Sequence, residues 1–537
     1  RMRASILIFI ILSLCLCLVV QSRTFTSDTT NGEEGTKCAA CVLALTEAYK
    51  QLPHITGPIR DLLKKVCSLL PNEKVQGVCK FIINDFSEDI LKFMLSKETP
   101  DYICTKLSLC KKCHLFHGSK YYEDRLTRLN SAESQENTQL MARVLASVLF
   151  TQLKRPPEPH HVGGFPKIDL DGDHFSPVHM ISRGADWRGA DCNDYNKNVK
   201  PGVLEAKSGQ VDFDCNGIPA NAEQKYCSGE FAPRQLVNLG DSATAGFMLP
   251  VEWLDLKNLT HILDGYLNEF DRPDKAWGSG WDTTESLYGK LRANNRCYHR
   301  QFQNVGKNGG DSFDLSAQID TVSWDNSKPV LATIAYIGND ICTPTLADMT
   351  TPEEIEENLT AGLAKLDSIV PPNSKVLLFG LVDGSIIYDF VGTEKHPLGD
   401  ITYGEFYNFL SCTGMNPCNT WLTTNATTRA AASARAMELD SVVKKIAKTQ
   451  SFKNFDLAFI DFGELLDEAF EIAAKEGKPL SSLIDPVDGF HPYVRVGHPI
   501  LARVLWTHLT NAYPDFIGPA NPNNDAIERD FGNQGGY

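Results

Sequence analysis

The sequence lacks an excess of positive charge. It has 52 Lys and Arg against 67 Asp and Glu, which gives a formal net charge of −15 at pH 7. A chain of this charge repels polyanions, so nucleic acid is excluded as a general partner. The sequence also lacks a long apolar run near its start. Ile6–Val20 covers fifteen residues, fewer than the ~20 that a helix needs to span a bilayer.

The first 22 residues have the pattern of a secretory signal. Arg1 and Arg3 precede the apolar run, and residues 20–22 include small side chains at the spacing that signal peptidase reads. We therefore predict a cleaved signal peptide over 1–22, with a retained anchor as the alternative. The polar stretch 23–36 is expected to be disordered or a propeptide.

Cysteine is more frequent than is usual for a cytosolic enzyme. The sixteen cysteines would form a disulfide framework in an oxidising compartment. Three Asn-x-Thr sequons, at Asn258, Asn358 and Asn425, are candidate glycosylation sites that suit the same route. With the signal pattern, they predict a protein that is secreted or delivered to the lumen of a lysosome or vesicle.

Six cysteines punctuate amphipathic helical stretches after residue 36. They are Cys38, Cys41, Cys67, Cys79, Cys104 and Cys110. Six cysteines allow fifteen connectivities, so spacing alone does not pair them. Their order and the helical periodicity resemble the saposin-like family of small, helical lipid-binding domains. The alternative is a disulfide-stapled helical module that only supports its neighbour. The resemblance implies an all-α domain over 37–118 with the bridges Cys38–Cys110, Cys41–Cys104 and Cys67–Cys79.

Residues 119–162 are predicted to be a linker. The dibasic pair at 154–155 is a candidate processing site, and the prolines that follow it block regular structure. Cys113 has no partner left before the linker, and seven cysteines lie after it. One bridge must therefore cross the linker, with Cys412 or Cys418 as candidate partners. Cleavage would then leave a small and a large subunit joined by a disulfide.

Residues 163–230 carry closely spaced oxygen ligands. Asp169, Asp171 and Asp173 alternate, so that successive carboxylates can turn towards one cation. Hard oxygen donors favour Ca²⁺ over Zn²⁺, whereas the alternative is a solvated acidic loop. This first loop is not an EF-hand, because Met180 replaces the glutamate at position twelve. We predict a structural calcium-binding segment. Its candidate ligands are Asp169, Asp171, Asp173, the Phe175 carbonyl, Asp186, Asp191, Asn193, Asp194, Asp212, Asp214 and Asn216.

From residue 231 onward, apolar runs alternate with helical patterns. The runs Val330–Ile337, Lys375–Leu381 and Phe455–Phe462 are typical of buried parallel strands. Helices are expected at Thr283–Asn294, Pro352–Ile369, Arg429–Lys448, Gly463–Glu476 and His498–Tyr513. This alternation predicts an α/β domain over 231–537. Its parallel sheet would be covered by helices on both faces, and its ligands would bind beyond the carboxyl ends of the strands.

Polar motifs stand at the ends of these runs. Ser242 ends the run that starts at Gln235, Asn339 follows a later run, and Asp488 and His491 precede the last helix. A serine at a tight strand-to-helix turn can act as a nucleophile when a histidine, oriented by a carboxylate, removes its proton. Alone, the Asp-Ser pair is more typical of a helix cap, and a single histidine of an ordinary surface residue. Their occurrence together and in this order favours catalysis.

These motifs resemble the four blocks of the SGNH/GDSL hydrolase family. The blocks are Asn-Leu-Gly-Asp-Ser ending at Ser242, the region around Gly309, Ile-Gly-Asn-Asp around Asn339, and Asp-Gly-Phe-His ending at His491. Gly310 fits the second block as well as Gly309 does. Ala243 departs from the leucine or isoleucine that is usual in the family, a change that affects packing rather than chemistry.

The resemblance implies a three-layer α/β/α fold and a role for each matching residue. Ser242 would be the nucleophile, and His491 and Asp488 the base and the carboxylate that orients it. The oxyanion would be held by the N–H groups of Ser242 and Gly309 and by the Asn339 amide.

A secreted chain with a saposin-like domain, a linker, an acidic calcium segment and an SGNH domain resembles a family of two-domain lipid esterases. The resemblance implies hydrolysis of secondary (acyloxyacyl) fatty acyl esters in the lipid A part of bacterial lipopolysaccharide. Its partners would be aggregates of lipopolysaccharide or phospholipid, contacted peripherally through the saposin-like domain. The alternatives are a secreted phospholipase or general esterase without lipid A preference, and a non-catalytic lipid-binding protein.

Overall fold

The computed structural model describes residues 166, 168–178, 187–206, 208–249, 270–283, 285–397, 401–412, 416 and 418–536. The predicted signal peptide, saposin-like domain and linker lie outside these ranges, as do Cys113, Asp186 and Asn258. The chain divides into two compact units. The first comprises Arg1–Glu158, Leu249–His261 and Tyr388–Asn425, and the second comprises Pro159–Met248, Ile262–Ile387 and Ala426–Tyr537.

A five-stranded parallel sheet forms the centre of the second unit. Its strands are β1 (Gln235–Gly240), β2 (Phe302–Asn304), β3 (Val330–Ala335), β4 (Ser374–Phe379) and β5 (Phe455–Ile460). They lie in the order β2-β1-β3-β4-β5, and every neighbouring pair is parallel. Every residue of β1 and β3 is buried, as expected for strands covered on both faces. Because the strand order reverses between β1 and β3, their carboxyl ends border a crevice.

The helices lie mostly between the strands. They are α1 (Ala220–Tyr226), α2 (Ser242–Ala245), α3 (Leu287–Asn294), α4 (Leu315–Asp320), α5 (Pro352–Ile369), α6 (Ile386–Val391), α7 (Tyr403–Cys412), α8 (Ala426–Thr449), α9 (Phe462–Lys475), α10 (Gly497–Ala512), α11 (Pro514–Ile517) and α12 (Asn524–Phe531). Within the described ranges, no helix is both long enough and apolar enough to cross a membrane.

Alternate strand side chains face two different helical layers. On one face, Leu236 and Leu377 belong to a core cluster with Leu505 of α10 and residues of α3 and α9. On the other face, Ile334 and Leu378 line a small cavity together with residues of α5 and α8. This alternation gives each face of the sheet its own apolar contacts. The predicted three-layer α/β/α arrangement is therefore confirmed.

Capping residues set where individual helices begin. α5 begins at Pro352, as predicted, because Thr351 and Glu354 form a capping box there. α3 begins four residues later than the sequence pattern indicated, at Leu287 instead of Thr283. Ser286 accepts the Gly289 N–H at 2.8 Å and so caps the helix at that point.

The acidic segment supports the short strand β2. Arg188 forms an antiparallel bridge with Gln303, and the Gly189 N–H donates to the Phe302 carbonyl at 3.0 Å. The Asn304 N–H donates to a carbonyl of the same segment, that of Trp187, at 2.7 Å. The outer edge of β2 is thereby paired with the chain on either side of Arg188.

Disulfides cross-link the described ranges. Cys192 is bonded to Cys215, and Cys227 to Cys297. The remaining cysteines of the described ranges, Cys342, Cys412 and Cys418, are also disulfide-bonded. The predicted disulfide framework is confirmed for these residues.

The two sequons within the described ranges differ in environment. Asn425 is exposed, whereas Asn358 is half-buried in α5. The Asn358 Nδ2 donates to Ser312 Oγ at 3.2 Å. An N-linked sugar would attach through this same nitrogen, so glycosylation of Asn358 would leave a single N–H for this hydrogen bond.

Candidate active site

Ser242 lies at the turn between β1 and α2. Gly240 passes so close to β3 that a Cβ would lie 2.4 Å from a backbone oxygen of that strand. Asp241 caps α2 by accepting the Ala243 N–H at 2.9 Å, and its second oxygen accepts the Ile337 N–H at 3.0 Å. Burial raises the pKa of Asp241 to about 6, although both N–H groups favour the ionised form. Asp241 thus fixes the turn, and Ser242 opens the helix.

Three predicted side chains come together above this turn. Ser242 Oγ lies 2.9 Å from His491 Nε2, and His491 Nδ1 lies 2.7 Å from Asp488 Oδ2. The second carboxylate oxygen of Asp488 accepts the N–H groups of Phe490 at 2.7 Å and of His491 at 3.0 Å. One oxygen therefore holds the loop while the other faces the imidazole. This is the connectivity that a serine nucleophile and its base require.

Asp485 shapes the loop that carries Asp488 and His491. Its side chain is fully buried, and one oxygen accepts the N–H groups of Val487 at 2.8 Å and of Asp488 at 3.2 Å. Its own N–H donates to the His491 carbonyl at 2.8 Å. The loop is therefore closed on itself, which fixes the three-residue spacing between carboxylate and imidazole.

The glycine turn after β2 packs against the nucleophile turn. The Lys307 N–H donates to the Gly240 carbonyl at 3.0 Å, and a Cβ on Gly306 would lie 2.5 Å from a backbone nitrogen of α2. The turn closes through the Gly310 N–H, which donates to the Lys307 carbonyl at 2.9 Å. Gly309 has a φ of +67°, a conformation that favours glycine. Its exposed N–H makes no hydrogen bond within the described ranges, so of the two glycines Gly309 keeps an available donor.

Asn339 lies in the loop after β3, next to the same glycine turn. Its Nδ2 donates to the Gly310 carbonyl at 2.9 Å. The neighbouring Asp340 is buried. One carboxylate oxygen accepts a hydrogen bond from the Ser312 hydroxyl at 2.7 Å, and the other accepts one from the Ser312 N–H at 3.1 Å. The loops that follow β1, β2 and β3 are thus joined at one end of the sheet, with Ser242, Gly309 and Asn339 on neighbouring turns.

Comparison with known proteins supports the sequence resemblance. A model of the GDSL-like lipase/acylhydrolase family matches residues 236–504, and a model of the saposin-like domain matches residues 37–144. The acyloxyacyl hydrolase of Mus musculus is 34% identical, over 94% of this chain and 94% of its own. Those of Oryctolagus cuniculus and Homo sapiens are each 32% identical, over 93% and 94% of both chains respectively.

The chain belongs to the acyloxyacyl hydrolase family. It is a hydrolase and a lipid esterase with a GDSL-type domain preceded by a saposin-like domain. The predicted resemblance of the two domains to the saposin-like and GDSL hydrolase families is confirmed. The site geometry above lies within the matched GDSL region.

Two residues that organise this candidate site were not predicted from the sequence. Asp340 and Asp485 act on neighbouring loops through buried hydrogen bonds that local spacing does not reveal. Asp340 belongs to the Ile-Gly-Asn-Asp motif, in which only Asn339 has a predicted role. Their position beside Asn339 and before Asp488 was the available signal, since aspartate at loop ends commonly accepts backbone N–H groups.

One group of predicted metal ligands clusters in the acidic segment of this family member. Oxygens of Asp171, Asp173 and Asp191 lie within 4.8 Å of one another, and those of Asp169, Asp171 and Asp194 do so as well. One oxygen each of Asp171, Asp173 and Asp191 is buried without a hydrogen-bond partner. Burial raises the pKa of Asp173 to about 7 and that of Asp191 to about 6. Unpaired buried oxygens of this kind fit a bound cation, which would supply the missing partner.

A second group lies around Asp212 and Asp214. Both have oxygens within 4.8 Å of an oxygen of Glu205, which was not predicted. The charge of Asp214 is partly balanced by an ion pair, because its Oδ2 lies 2.8 Å from the buried Lys328 ammonium. The Asn216 Nδ2 donates to both carboxylate oxygens of Glu223 at 3.1 Å. Burial raises the pKa of Asp212 to about 7 and that of Glu223 to about 9.

Glu223 was missed although the sequence carries its signal. Asp212, Asp214 and Asn216 occupy positions one, three and five of a loop in which Gly217 is sixth and Glu223 twelfth. This is the spacing of an EF-hand calcium loop. The loop that begins at Asp169 differs, because Met180 occupies its twelfth position.

The remaining predicted ligands belong to neither group of clustered carboxylates within the described ranges. Asn193 is exposed, and its N–H donates to Asp191 Oδ1 at 2.8 Å. Phe175 is buried, and its N–H donates to Asp173 Oδ1 at 2.9 Å. Asp186 lies outside the described ranges. Calcium ligation by all these residues stays a prediction.

Proposed function

We propose that the chain hydrolyses secondary acyloxyacyl esters in the lipid A part of lipopolysaccharide, with Ser242 as nucleophile. The observation that carries the proposal is the hydrogen-bonded series from Ser242 through His491 to Asp488. It lies in a chain that aligns over 94% of its length with an acyloxyacyl hydrolase. The saposin-like match supports a lipid aggregate as the form in which the substrate is met.

The proposed reaction is acyl transfer through a serine ester. The Ser242 oxygen attacks the ester carbonyl while its proton passes to His491 Nε2, and Asp488 stabilises the imidazolium that forms. His491 then protonates the departing alkoxide. In the second half, His491 Nε2 takes a proton from water, whose oxygen attacks the acyl-serine carbonyl. His491 then returns that proton to Ser242 Oγ as the fatty acid leaves.

The oxyanion is held by donors from three neighbouring turns. The Ser242 N–H opens α2 and is one of the unpaired donors of a helix start. The Gly309 N–H is available, and one hydrogen of the Asn339 amide remains after its bond to Gly310. Each such donor lowers the barrier by about 3 kcal/mol, because it is fixed before charge develops.

Replacing Asn339 with alanine tests the oxyanion assignment. We expect kcat on an ester substrate to fall by roughly 10²- to 10³-fold with little change in KM, since the amide acts mainly on the transition state. Steady-state kinetics would measure this, with Asn326→Ala as the matched change at an exposed position outside the proposed sites. A kcat within about twofold of wild type would refute the role of Asn339.

The saposin-like domain would shelter acyl chains during transfer from the aggregate. Each CH₂ kept from water is worth about 0.8 kcal/mol, so a long chain cannot leave a micelle unaided.

We propose secretion or delivery to a lysosomal or vesicle lumen, which the paired cysteines support. Cleavage at the linker into two disulfide-linked subunits belongs to the same proposal.

We also propose that the acidic segment binds Ca²⁺ in a structural role. Asp169, Asp171, Asp173, Asp191 and Asp194 would hold one ion. Glu205, Asp212, Asp214, Asn216 and Glu223 offer oxygens for another. The ion would supply positive charge to buried carboxylates. The disulfide between Cys192 and Cys215 joins the two loops, so their order is expected to depend on each other.

Substrate preference separates the proposal from a general phospholipase, which the GDSL lipase match also favours. Purified lipopolysaccharide and phospholipid dispersions would be offered at equal ester concentration, and the released fatty acids identified by mass spectrometry. We expect secondary acyl chains to be released from lipopolysaccharide with the higher kcat/KM. Equal or faster hydrolysis of phospholipid would favour the general esterase instead.

A further inference from the structure

We propose that Phe247 and Phe490 are positioning residues that hold the His491 imidazole in the plane needed to connect Ser242 with Asp488. The inference rests on the proposed role of His491 as base. It concerns the orientation of the imidazole plane, which the hydrogen bonds to Ser242 and Asp488 do not set by themselves.

The two phenylalanine rings contact the imidazole from different segments. The Phe247 ring centroid lies 4.4 Å from that of His491, with 42° between the planes. The Phe490 centroid lies 4.7 Å away at 71°. Contacts at these distances are in the range of attractive ring pairs. Rotation of the imidazole out of its plane would therefore disturb its packing against both rings.

Phe247 is also bonded to the segment that carries the nucleophile. Its N–H donates to the Ser242 carbonyl at 3.0 Å, directly after Gly246 turns the chain with a φ of +76°. The side chain is 5% exposed and its ring packs on that of Phe270, with centroids 6.3 Å apart. One buried ring is thus attached next to the helix that carries the serine and contacts the base, which lies 249 residues after Ser242.

Side-chain preferences do not set this plane by themselves. Rotation about the bond from Cβ to the imidazole has broad minima, so the ring plane of a histidine depends on its surroundings. Asp488 holds only Nδ1. Packing against the two phenylalanine rings is what keeps Nε2 directed at Ser242 Oγ.

Phe247→Leu tests the proposal. We expect kcat to fall by about 10-fold or more with KM nearly unchanged, because small misplacements of a catalytic group are costly. Labelling of Ser242 by a fluorophosphonate should slow by a similar factor. Phe490→Leu should act in the same direction, and Phe490→Tyr, which keeps the ring on a half-buried side chain, should restore wild-type rates.

Phe455→Leu is the matched control. Phe455 is buried at the start of β5, so its loss removes the same apolar volume at the amino end of the sheet. We expect it to lower thermal stability without changing kcat. If Phe247→Leu fails to fold, the Phe490 series decides the question.

The outcomes separate this inference from the proposed function. A wild-type protein that hydrolyses no ester and takes up no probe would overturn both. An active wild type in which both leucine variants keep wild-type kcat, or in which only KM rises, would overturn the positioning role alone. So would a Phe490→Tyr variant as slow as Phe490→Leu.

Discussion

Replacing Ser242 with alanine is expected to abolish ester hydrolysis while leaving the fold intact. The Oγ atom, which lies 2.9 Å from His491 Nε2, is the only part of the side chain that is lost. Comparable serine triads lose about 10⁶-fold in kcat when the nucleophile is removed. We expect a loss of this order on lipopolysaccharide and on any simpler ester that the protein accepts.

The matched control for this change is Ser368→Ala. Ser368 is exposed on α5, and its hydroxyl donates only to the Lys365 carbonyl. Both variants should keep the wild-type circular dichroism spectrum, melting temperature and binding to lipid vesicles. Hydrolysis by purified Ser242→Ala at a rate above a few per cent of wild type would remove Ser242 from the mechanism.

Removing calcium is expected to lower stability and, with it, activity. A cation held at 1,000 times its Kd adds about 4 kcal/mol to the free energy of unfolding, which corresponds to several degrees in melting temperature for a protein of this size. The acidic segment also pairs with β2 through Arg188, and Asn304 at the end of β2 donates to the Thr244 carbonyl of α2 at 2.7 Å. Disorder in the segment would therefore reach the helix that carries Ser242.

The effect of calcium should depend on pH. Burial raises the pKa of Asp173 and of Asp212 from 3.8 to about 7. Between about pH 4 and 7, the cation-free folded protein holds protons that the unfolded chain has released, so its stability falls as pH rises through that window. A cation displaces these protons. The stabilisation by added Ca²⁺ should therefore grow from pH 4 to pH 7.

Differential scanning calorimetry with EDTA or with Ca²⁺ across this pH range would measure the effect. Asp173→Asn should weaken the response to Ca²⁺, whereas Asp282→Asn, at a surface pair with Lys275, should leave it unchanged. Melting temperatures that are equal with EDTA and with Ca²⁺ at pH 7 would show that the acidic segment needs no ion.

Most of the sheet could be predicted because its strands are rich in apolar residues. β1 and β3 are buried throughout and β4 nearly so, whereas β5 at the edge of the sheet keeps apolar residues on both sides of an exposed Asp456. β2 was not predicted: Phe302–Asn304 is short and mainly polar, and it is a strand because β1 and Arg188 pair with its two edges. Such pairing joins residues far apart in sequence, which no local pattern contains.

The chemistry-bearing side chains could be predicted better than the residues that hold them. Ser242, His491 and Asp488 belong to motifs whose order is informative. Asp340 and Phe247 act across loops, and their partners are known only from the fold. Glu223 is a different case, since its place at the twelfth position was readable from the sequence.

The most direct test of the account is to map where a serine-directed fluorophosphonate attaches to the purified wild-type protein. Mass spectrometry of the digested adduct should find a single modified peptide, the one that contains Ser242. The same adduct should stop release of secondary acyl chains from lipopolysaccharide, and His491→Ala should prevent its formation. Modification of a different serine, or full hydrolysis of lipopolysaccharide by protein already modified at Ser242, would contradict the account.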